Sequence, residues 1–177
     1  MEAVLKKEVI LNKAACRIIG VLTFIILTAL GAYVRIPLPF TPVPITLQTF
    51  FVLLSGALLG LGLGASAQLS YIFLGVLGLP LFSGGSSGLT YLFGPTAGYL
   101  LGFVLASLLI GRYIKYKQNN PAAVFGLFLL GDLVLLSAGV IWLKLLFGYK
   151  FTKLLAIGFI PFIPGDLLKA YLASLLY

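Results

Sequence analysis

The sequence predicts an all-α membrane protein with six transmembrane helices and irregular loops on the outer side of the membrane. Apolar residues make up 61% of the 177 residues, the mean hydropathy is +1.16, and only 9% of the side chains are charged. A soluble domain is nearer half apolar and a quarter charged, so this chain has too little polar surface to face water. Six spans of roughly 20 residues use most of the chain. We therefore expect residues 1–177 to form a single transmembrane domain.

Six apolar runs predict the positions of these helices, at about residues 14–34, 45–61, 63–79, 94–111, 122–147 and 152–177. The first helix ends at Arg35, because four prolines follow between residues 37 and 44. Each proline lacks an N–H and restricts the residue before it, so this segment cannot be the interior of a helix. The second and third helices are joined by a tight glycine-rich turn over residues 60–64.

Interruptions in the later runs separate the remaining helices. The segment from Pro80 to Phe93 is uncharged and rich in glycine and serine, which is typical of a loop. The most polar loop of the chain follows the fourth helix and contains Arg112, Lys115, Lys117, Asn119, Asn120 and Pro121. The sixth run is expected to break at Pro161 and again at Ile163-Pro164-Gly165-Asp166.

The basic residues predict the orientation in the membrane. Six spans put both termini on one side, and basic residues concentrate on the cytoplasmic side of membrane proteins. With the N-terminus inside, seven basic residues flank the helices on the inner side, namely Lys6, Lys7, Lys13, Arg17, Arg112, Lys115 and Lys117. Four flank them on the outer side, namely Arg35, Lys144, Lys150 and Lys153. We therefore expect a multi-pass protein of the cell (inner) membrane with both termini in the cytoplasm.

This orientation places the proline-rich segment 35–46 and the glycine-rich segment 80–93 on the outer side. Irregular backbone at a membrane is tolerated where it packs against protein or lines a cavity. Two irregular segments on one face therefore predict a lid over a pocket that opens outward. The excess of positive charge is mainly an orientation signal, because no basic patch interleaved with aromatic residues accompanies it, and no nucleic acid is expected as a partner.

The composition excludes several kinds of chemistry. The chain has no histidine, so it has no Ser-His-Asp triad and no histidine-ligated metal. Its single cysteine, Cys16, cannot form a cysteine cluster. Gly84-Gly85-Ser86-Ser87-Gly88 matches the spacing of a hydrolase elbow, but it lacks the histidine that such a nucleophile needs. We expect no catalytic residues, no metal and no cofactor, and the absence of a P-loop means that any ATP-driven work belongs to a partner.

The strongest candidate site residues are Asp166 and Lys169 in the sixth helix. A charged group at the centre of a spanning helix costs roughly 2.5–3.5 kcal/mol on insertion scales. The i, i+3 spacing puts both side chains on one face, where they either form a structural ion pair or converge on a ligand. Asp132 is the other acid within a span and has no basic residue one turn away. It is protonated, paired with another helix, or placed in a water-filled cavity.

Glycines with four-residue spacing occur on two helices, at Gly56, Gly60 and Gly64 and at Gly94, Gly98 and Gly102. This spacing allows two spanning helices to approach closely. Packing within the bundle is the simpler interpretation, and an interface with another membrane subunit is the alternative.

Four stretches, taken in chain order, closely resemble the BioY family. They are FTPVPITLQ at 40–48, GLPLFSGGSSGLTYLFGPTAGYLLGF at 78–103, Ile-Trp-Leu at 141–143 and FIPGDLLKA at 162–170. Members of this family are the biotin-specific substrate-binding (S) components of energy-coupling factor (ECF) transporters. The resemblance implies six helices that hold one biotin near the outer face. It also implies docking on a transmembrane coupling subunit driven by two ATPase subunits.

By position, the resemblance implies that Asp166 and Lys169 contact biotin. The loop residues Gly84, Gly85, Ser87 and Tyr91 are then expected to close over the ligand, and Gln48 matches a family glutamine as a weaker candidate. A ureido ring presents two N–H donors and one carbonyl acceptor, which a carboxylate and backbone N–H groups can match. Lys169 either neutralises Asp166 or meets the carboxylate of the ligand, and the sequence does not decide between these roles.

One feature departs from the family pattern. S components typically present an Ala-x-x-x-Ala pair on the first helix to the coupling subunit, whereas this chain has Val21 and Ile25 there. The nearest small pair is Thr28 with Ala32. This departure leaves open a biotin transporter that works alone or with a dedicated partner. Two further interpretations are an S component for another vitamin and an intramembrane enzyme that uses Asp132 and Asp166 as a carboxylate pair.

Overall fold

The computed structural model describes residues 2–117 and 120–177, with side chains from residue 13 onward. Asn119, which was assigned to the polar loop, lies outside the described residues. The chain forms a helical bundle with six helical elements, α1 (Glu2–Tyr33), α2 (Gln48–Val76), α3 (Ala97–Tyr113), α4 (Pro121–Phe147), α5 (Phe151–Gly158) and α6 (Ile163–Leu176). Two short strands, β1 (Arg35–Ile36) and β2 (Ile45–Thr46), pair in antiparallel fashion within the proline-rich segment. Five of the described stretches are long and apolar enough to cross a membrane, so the membrane prediction is confirmed.

The predicted second and third helices form one element, α2, which bends sharply at Gly60. This glycine has φ 80° and ψ −176°, a backbone conformation that residues with a side chain rarely adopt. The two arms on either side of Gly60 lie against each other. Gln48 Nε2 in the first arm donates to the Tyr71 hydroxyl in the second arm at 2.7 Å. Closer to the bend, Gln68 Nε2 in the second arm donates to Ser55 Oγ in the first arm at 3.0 Å. Residues Gln48–Val76 thus form two helical arms that meet at Gly60, inside the predicted turn over residues 60–64.

The starts of α1 and α3 differ from the predicted positions, whereas the start of α4 agrees with them. α1 begins twelve residues earlier than the apolar run, because Glu and Lys are good helix formers outside the membrane. α3 begins at Ala97 instead of residue 94, after a short 3₁₀ helix over Leu89–Phe93. α4 begins as predicted because Asn120 caps it, accepting a bond from the Ala123 N–H at 3.1 Å.

The sixth run breaks once, not twice. α5 ends at Gly158, a 3₁₀ turn covers Ile160–Phe162, and α6 then runs without interruption. Pro164 lies in the first turn of α6, where a proline removes no helical hydrogen bond. The expectation of a second break at Ile163–Asp166 is therefore wrong, and Asp166 lies in the first turn of a regular helix.

The two irregular segments lie together at one end of the bundle. The Tyr33 hydroxyl donates to the Pro80 carbonyl oxygen at 2.5 Å, which ties the end of α1 to the start of the glycine-rich segment. The bend of α2 is at the opposite end, where Gly111 of α3 packs against the backbone of Gly60 and Leu61. The predicted co-location of segments 35–46 and 80–93 therefore agrees with the structure.

The spaced glycines mostly serve packing within the bundle. A Cβ at Gly56 would lie 2.7 Å from the Ser107 carbonyl oxygen, and one at Gly102 would lie 2.8 Å from the backbone of Leu135. Gly98 packs against Trp142. Most of these glycines are thus used where α2, α3 and α4 approach most closely.

Candidate ligand-binding site

A cavity lies at the end of the bundle beneath the two irregular segments. Its enclosed interior is about 40 Å³, and with the open space at its mouth the volume between its walls is about 500 Å³. Helices α2, α3, α4 and α6 form the walls, and residues of the proline-rich and glycine-rich segments form the rim. The polar lining residues are Thr46, Gln48, Thr49, Ser83, Tyr91, Thr96, Tyr99, Asp166 and Lys169. The apolar ones are Val43, Pro44, Leu100, Phe103, Leu135, Leu136 and Phe162.

Asp166 and Lys169 form an ion pair in the wall of this cavity. Lys169 Nζ lies 2.5 Å from Asp166 Oδ1, and both residues are buried. Nζ also donates to Thr49 Oγ1 at 2.5 Å and to the Thr46 carbonyl oxygen at 3.2 Å. The Thr49 hydroxyl in turn donates to Asp166 Oδ1 at 3.3 Å. The pair is therefore fixed by α2 and β2 as well as by its own helix.

The hydrogen bonds of this cluster leave one acceptor free. An ammonium group has three donors, and each of those on Lys169 faces an acceptor, so Lys169 is saturated. Asp166 Oδ2 is buried and has no hydrogen-bond partner among the described residues. Since an unpaired buried carboxylate oxygen is costly, Oδ2 is available to a donor that enters the cavity.

A second unpaired polar atom belongs to the same lining. Ser83 is 8% exposed, and its hydroxyl oxygen has no partner in the part of the chain that the structure describes. A hydroxyl can donate as well as accept. The cavity therefore offers a free carboxylate acceptor and a free hydroxyl donor, which together suit a ligand group that carries both N–H and C=O.

Gln48 lines the cavity and links three elements. Its amide Nε2 donates to the Tyr71 hydroxyl, and that hydroxyl donates to the Leu81 carbonyl oxygen at 3.0 Å. Its amide Oε1 accepts from the Thr46 hydroxyl at 3.2 Å. Gln48 thus joins both arms of α2 to the glycine-rich segment. These bonds position that segment, and Gln48 also faces the cavity.

The glycine-rich segment folds as a compact cap. Phe82 is fully buried and stacks on Tyr91, with ring centroids 4.6 Å apart. Gly84 and Gly85 have φ of 75° and 76°, so the tight turn between Phe82 and Ser86 requires glycine. Of the loop residues proposed from sequence, Tyr91 lines the cavity. Gly84, Gly85 and Ser87 lie in the cap and are not part of the lining.

The remaining wall is apolar and rigid. Tyr99 is 6% exposed, packs near Phe162 with ring centroids 5.9 Å apart, and donates its hydroxyl to the Gly158 carbonyl oxygen at 2.7 Å. That bond holds α3 against the break between α5 and α6. A flat apolar ligand body would fit beside these rings, since small-molecule sites combine apolar walls with few polar groups.

Asp132 lies outside the cavity lining. It is 4% exposed in the middle of α4, one turn from the lining residues Leu135 and Leu136, and neither carboxylate oxygen has a hydrogen-bond partner among the described residues. Within that same part of the chain, no group of three or more acidic or cysteine side chains could hold a metal ion.

Sequence reasoning did not identify Thr49, Ser83 and Tyr99 as site residues. Thr49 follows Gln48 at the start of α2. A hydroxyl side chain next to a candidate site residue, within a predicted span, is the sequence signal that could have identified it. Ser83 and Tyr99 carry no local signal, because their place in the lining depends on how α3 and the cap pack together.

Comparison with known proteins gives consistent matches over nearly the whole chain. The BioY family model matches residues 6–177. A "Biotin transporter BioY" from Rhizobium etli is 39% identical, with 85% of this chain and 84% of that protein covered. A protein of the same name from Thermotoga maritima is 38% identical, with 86% and 88% covered. The crystal structure of the S-component for biotin from an ECF-type ABC transporter matches with a TM-score of 0.87 and 27% identity, covering 93% of this chain and 90% of that one.

Proposed function

The chain belongs to the BioY family, and we propose on that basis that it is a biotin-binding membrane subunit that captures biotin on the outer side of the membrane for uptake. The family is a transporter component and not an enzyme. This removes the alternative of an intramembrane enzyme using Asp132 and Asp166. It also fits the geometry, since Asp132 is absent from the cavity lining that contains Asp166.

The observation that carries the proposal is the free carboxylate oxygen of Asp166 in the cavity wall. A ureido ring has two N–H donors, and one of them would pair with Asp166 Oδ2. The ureido carbonyl would accept from the Ser83 hydroxyl, which is also unpaired. The bicyclic body of biotin would then lie against Tyr99 and Phe162. In this arrangement Asp166, Tyr91 and Gln48 line the ligand, and Lys169 holds Asp166 in position through their ion pair.

The cap would control access to this site. Gly84, Gly85 and Ser87 are proposed to move with Tyr91 as one loop over bound biotin. The stacked pair Phe82 and Tyr91 gives that loop an anchor at the cavity rim. Opening of the loop would release the ligand without changing the helices beneath it.

We extend the proposal to the topology. Because the two arms of α2 lie against each other, α2 is proposed to enter and leave the membrane on the same side, which gives six crossings within a single domain over residues 1–177. The bend at Gly60 and the basic residues Arg112, Lys115 and Lys117 lie at the end opposite the cavity. The positive-inside rule then places that end and both termini in the cytoplasm of the cell (inner) membrane.

A coupling partner is proposed from the structural neighbour, which is the S-component of an ECF-type transporter. We propose that a transmembrane coupling subunit and two ATPase subunits reorient this chain to release biotin inside. The family docking positions do not supply the interface, because Ile25 is 7% exposed and Val21 packs against the core. Thr28 and Ala32 are fully buried. Leu22 and Ile26, the next residues around α1, are exposed and are proposed to contribute to the interface.

A ligand panel tests the proposed function. Biotin, thiamin and riboflavin would each be titrated into the purified chain by calorimetry. We expect saturable binding of one biotin and no detectable binding of the other two, because neither of them has a cyclic urea with two N–H donors. If another vitamin binds and biotin does not, the site is assigned to a different substrate. Failure of all three to bind would refute a substrate-binding role for the isolated chain.

A further inference from the structure

A recess lies where the end of α3 meets the bend of α2, at the end of the bundle opposite the cavity. Its lining residues are Leu61, Gly111, Arg112, Tyr113, Lys115 and Tyr116. One side of this recess is fixed by close packing, because a Cβ at Gly111 would lie 2.5 Å from the backbone of Gly60 and Leu61. Ile114, which is 3% exposed, anchors the short 3₁₀ turn over Ile114–Tyr116 in the core. Backbone packing thus holds the shape of the recess.

The recess carries two positive charges that no described carboxylate balances. Arg112 and Lys115 are exposed, and neither forms an ion pair with another described residue. Among the side chains that the structure describes, the acids are Asp132 and Asp166, and both are buried within spans. Asp166 is already paired with Lys169. A fixed counter-charge for the recess would thus come from outside the described part of the chain.

The rim of the recess combines these cations with amphipathic and apolar groups. Tyr113 is 49% exposed and Tyr116 is 70% exposed, and Lys115 Nζ lies 4.8 Å from the centroid of the Tyr116 ring. Tyrosine is enriched where a membrane meets water, and the candidate span Ala97–Tyr116 ends at this rim. Leu61, at the bend of α2, is also exposed. The recess therefore lies at the depth expected for lipid headgroups, and it offers both charge and apolar surface.

We propose that this recess binds the phosphate group of an anionic phospholipid in the cytoplasmic leaflet. The paired N–H groups of Arg112 match two phosphate oxygens, and Lys115 adds a second positive charge. Basic pockets between helices on the cytoplasmic side of a membrane suit anionic headgroups. A zwitterionic headgroup carries its own cation, which the recess repels. A free phosphate would leave Tyr113, Tyr116 and Leu61 uncovered, whereas the glycerol and first methylenes of a lipid would cover them.

This inference does not depend on biotin binding, and it uses the proposed topology only to name the leaflet. A lipid held in the recess would contact both the end of α3 and the bend of α2. A ligand that binds only the folded state stabilises it. Added phosphatidylglycerol should therefore raise the thermal midpoint of the purified chain more than added phosphatidylcholine does.

Competition between two lipids tests the proposal on the purified chain in detergent. Native mass spectrometry would count the lipids retained from an equimolar mixture of phosphatidylglycerol and phosphatidylcholine with identical acyl chains. We expect the wild type to retain phosphatidylglycerol with about tenfold preference, because two cations face the headgroup. The recess variant, Arg112→Gln with Lys115→Gln, should lose this preference. Both side chains are exposed, so the recess variant is expected to fold.

Lys13→Gln with Arg17→Gln is the matched control variant. Both residues are exposed on α1, and neither lines the recess. They lie toward the same end of the bundle as the recess, because Tyr33 ties the other end of α1 to Pro80. The control variant therefore removes two positive charges from the same end and should keep the preference of the wild type.

Other results would overturn the proposal. Equal retention of the two lipids by the wild type would assign the recess to another counter-charge, such as an acidic segment of a partner protein. An unchanged preference in the recess variant, or an equal loss in both variants, would mean that the lipid has no defined site here. Displacement of phosphatidylglycerol by a large excess of inorganic phosphate would assign the recess to free phosphate.

A measurement on the wild type decides the matter if the recess variant does not fold. A phosphatidylglycerol analogue with a photoreactive headgroup would be crosslinked to the purified chain, and the modified peptides would be identified by mass spectrometry. We expect crosslinks within residues 111–116 and at Leu61. Crosslinks confined to other segments would refute the site.

Discussion

Replacement of Asp166 by asparagine is expected to reduce the affinity for biotin at least about a hundredfold. The change removes a charged acceptor, and a hydrogen bond to a charged group contributes about 1.5–3 kcal/mol. It also leaves Lys169 buried without its counter-charge beside Thr49, and breaking a buried ion pair by removing one partner is strongly unfavourable. The measurement is calorimetric titration of the purified variant with biotin.

Asp132→Asn provides the matched control. Both aspartates are 4% exposed and lie in membrane-spanning segments, so the substitution removes the same group from an equally buried position. Asp132 does not line the cavity, and its carboxylate has no hydrogen-bond partner among the described residues. We expect biotin affinity within about threefold of the wild type. Unchanged binding by Asp166→Asn, or an equal loss in both variants, would contradict the site assignment.

Replacement of Gly102 by leucine is expected to destabilise the bundle. A Cβ at this position would lie 2.8 Å from both the Cα and the carbonyl oxygen of Leu135, so α3 and α4 would have to separate. Overpacking typically costs 1–3 kcal/mol and occasionally more, and we expect a loss of about 3 kcal/mol. In a chain of this size that corresponds to a fall of about 10 °C in the thermal midpoint. The midpoint is measured by circular dichroism in detergent.

Gly126→Leu is the control for this packing effect. Gly126 lies in α4, and no atom lies within 4 Å of the position that a Cβ would occupy. Leucine is also a better helix former than glycine, so the thermal midpoint should stay the same or rise. A midpoint of Gly102→Leu equal to that of Gly126→Leu would show that the close approach of α3 and α4 is not needed.

Hydropathy and the positions of glycine and proline predict most of the helices and the turn between the second and the third, but not every helix start. The two apolar runs at 45–61 and 63–79 correspond to the two arms of α2, and the bend at Gly60 lies within the predicted turn over residues 60–64. Pro164 was interpreted as a helix break, but whether proline ends a helix or begins one depends on the neighbouring turn. The break over Ile160–Phe162 was anticipated correctly from Pro161.

The candidate site was predictable where one short segment supplies it. Asp166 and Lys169 are three residues apart on one helix, so their pairing follows from helical geometry alone. Thr49 and Ser83 reach the same cavity from α2 and from the cap, and no sequence spacing relates these positions. The saturation of Lys169 depends on Thr46 and Thr49, which contribute from more than a hundred residues away. For that reason the saturation of Lys169 could not be predicted from the sequence.

Biotin is proposed to bind through the free oxygen of Asp166 in the cavity beneath the cap. A structure of the purified chain with biotin bound is the decisive measurement. We expect a ureido N–H donor within about 3.2 Å of Asp166 Oδ2, with the bicyclic body beside Tyr99 and Phe162. Biotin bound elsewhere, such as the apolar groove between α1 and the second arm of α2 that Val21 and Leu74 line, would contradict it, as would a ring in the cavity that makes no contact with Asp166.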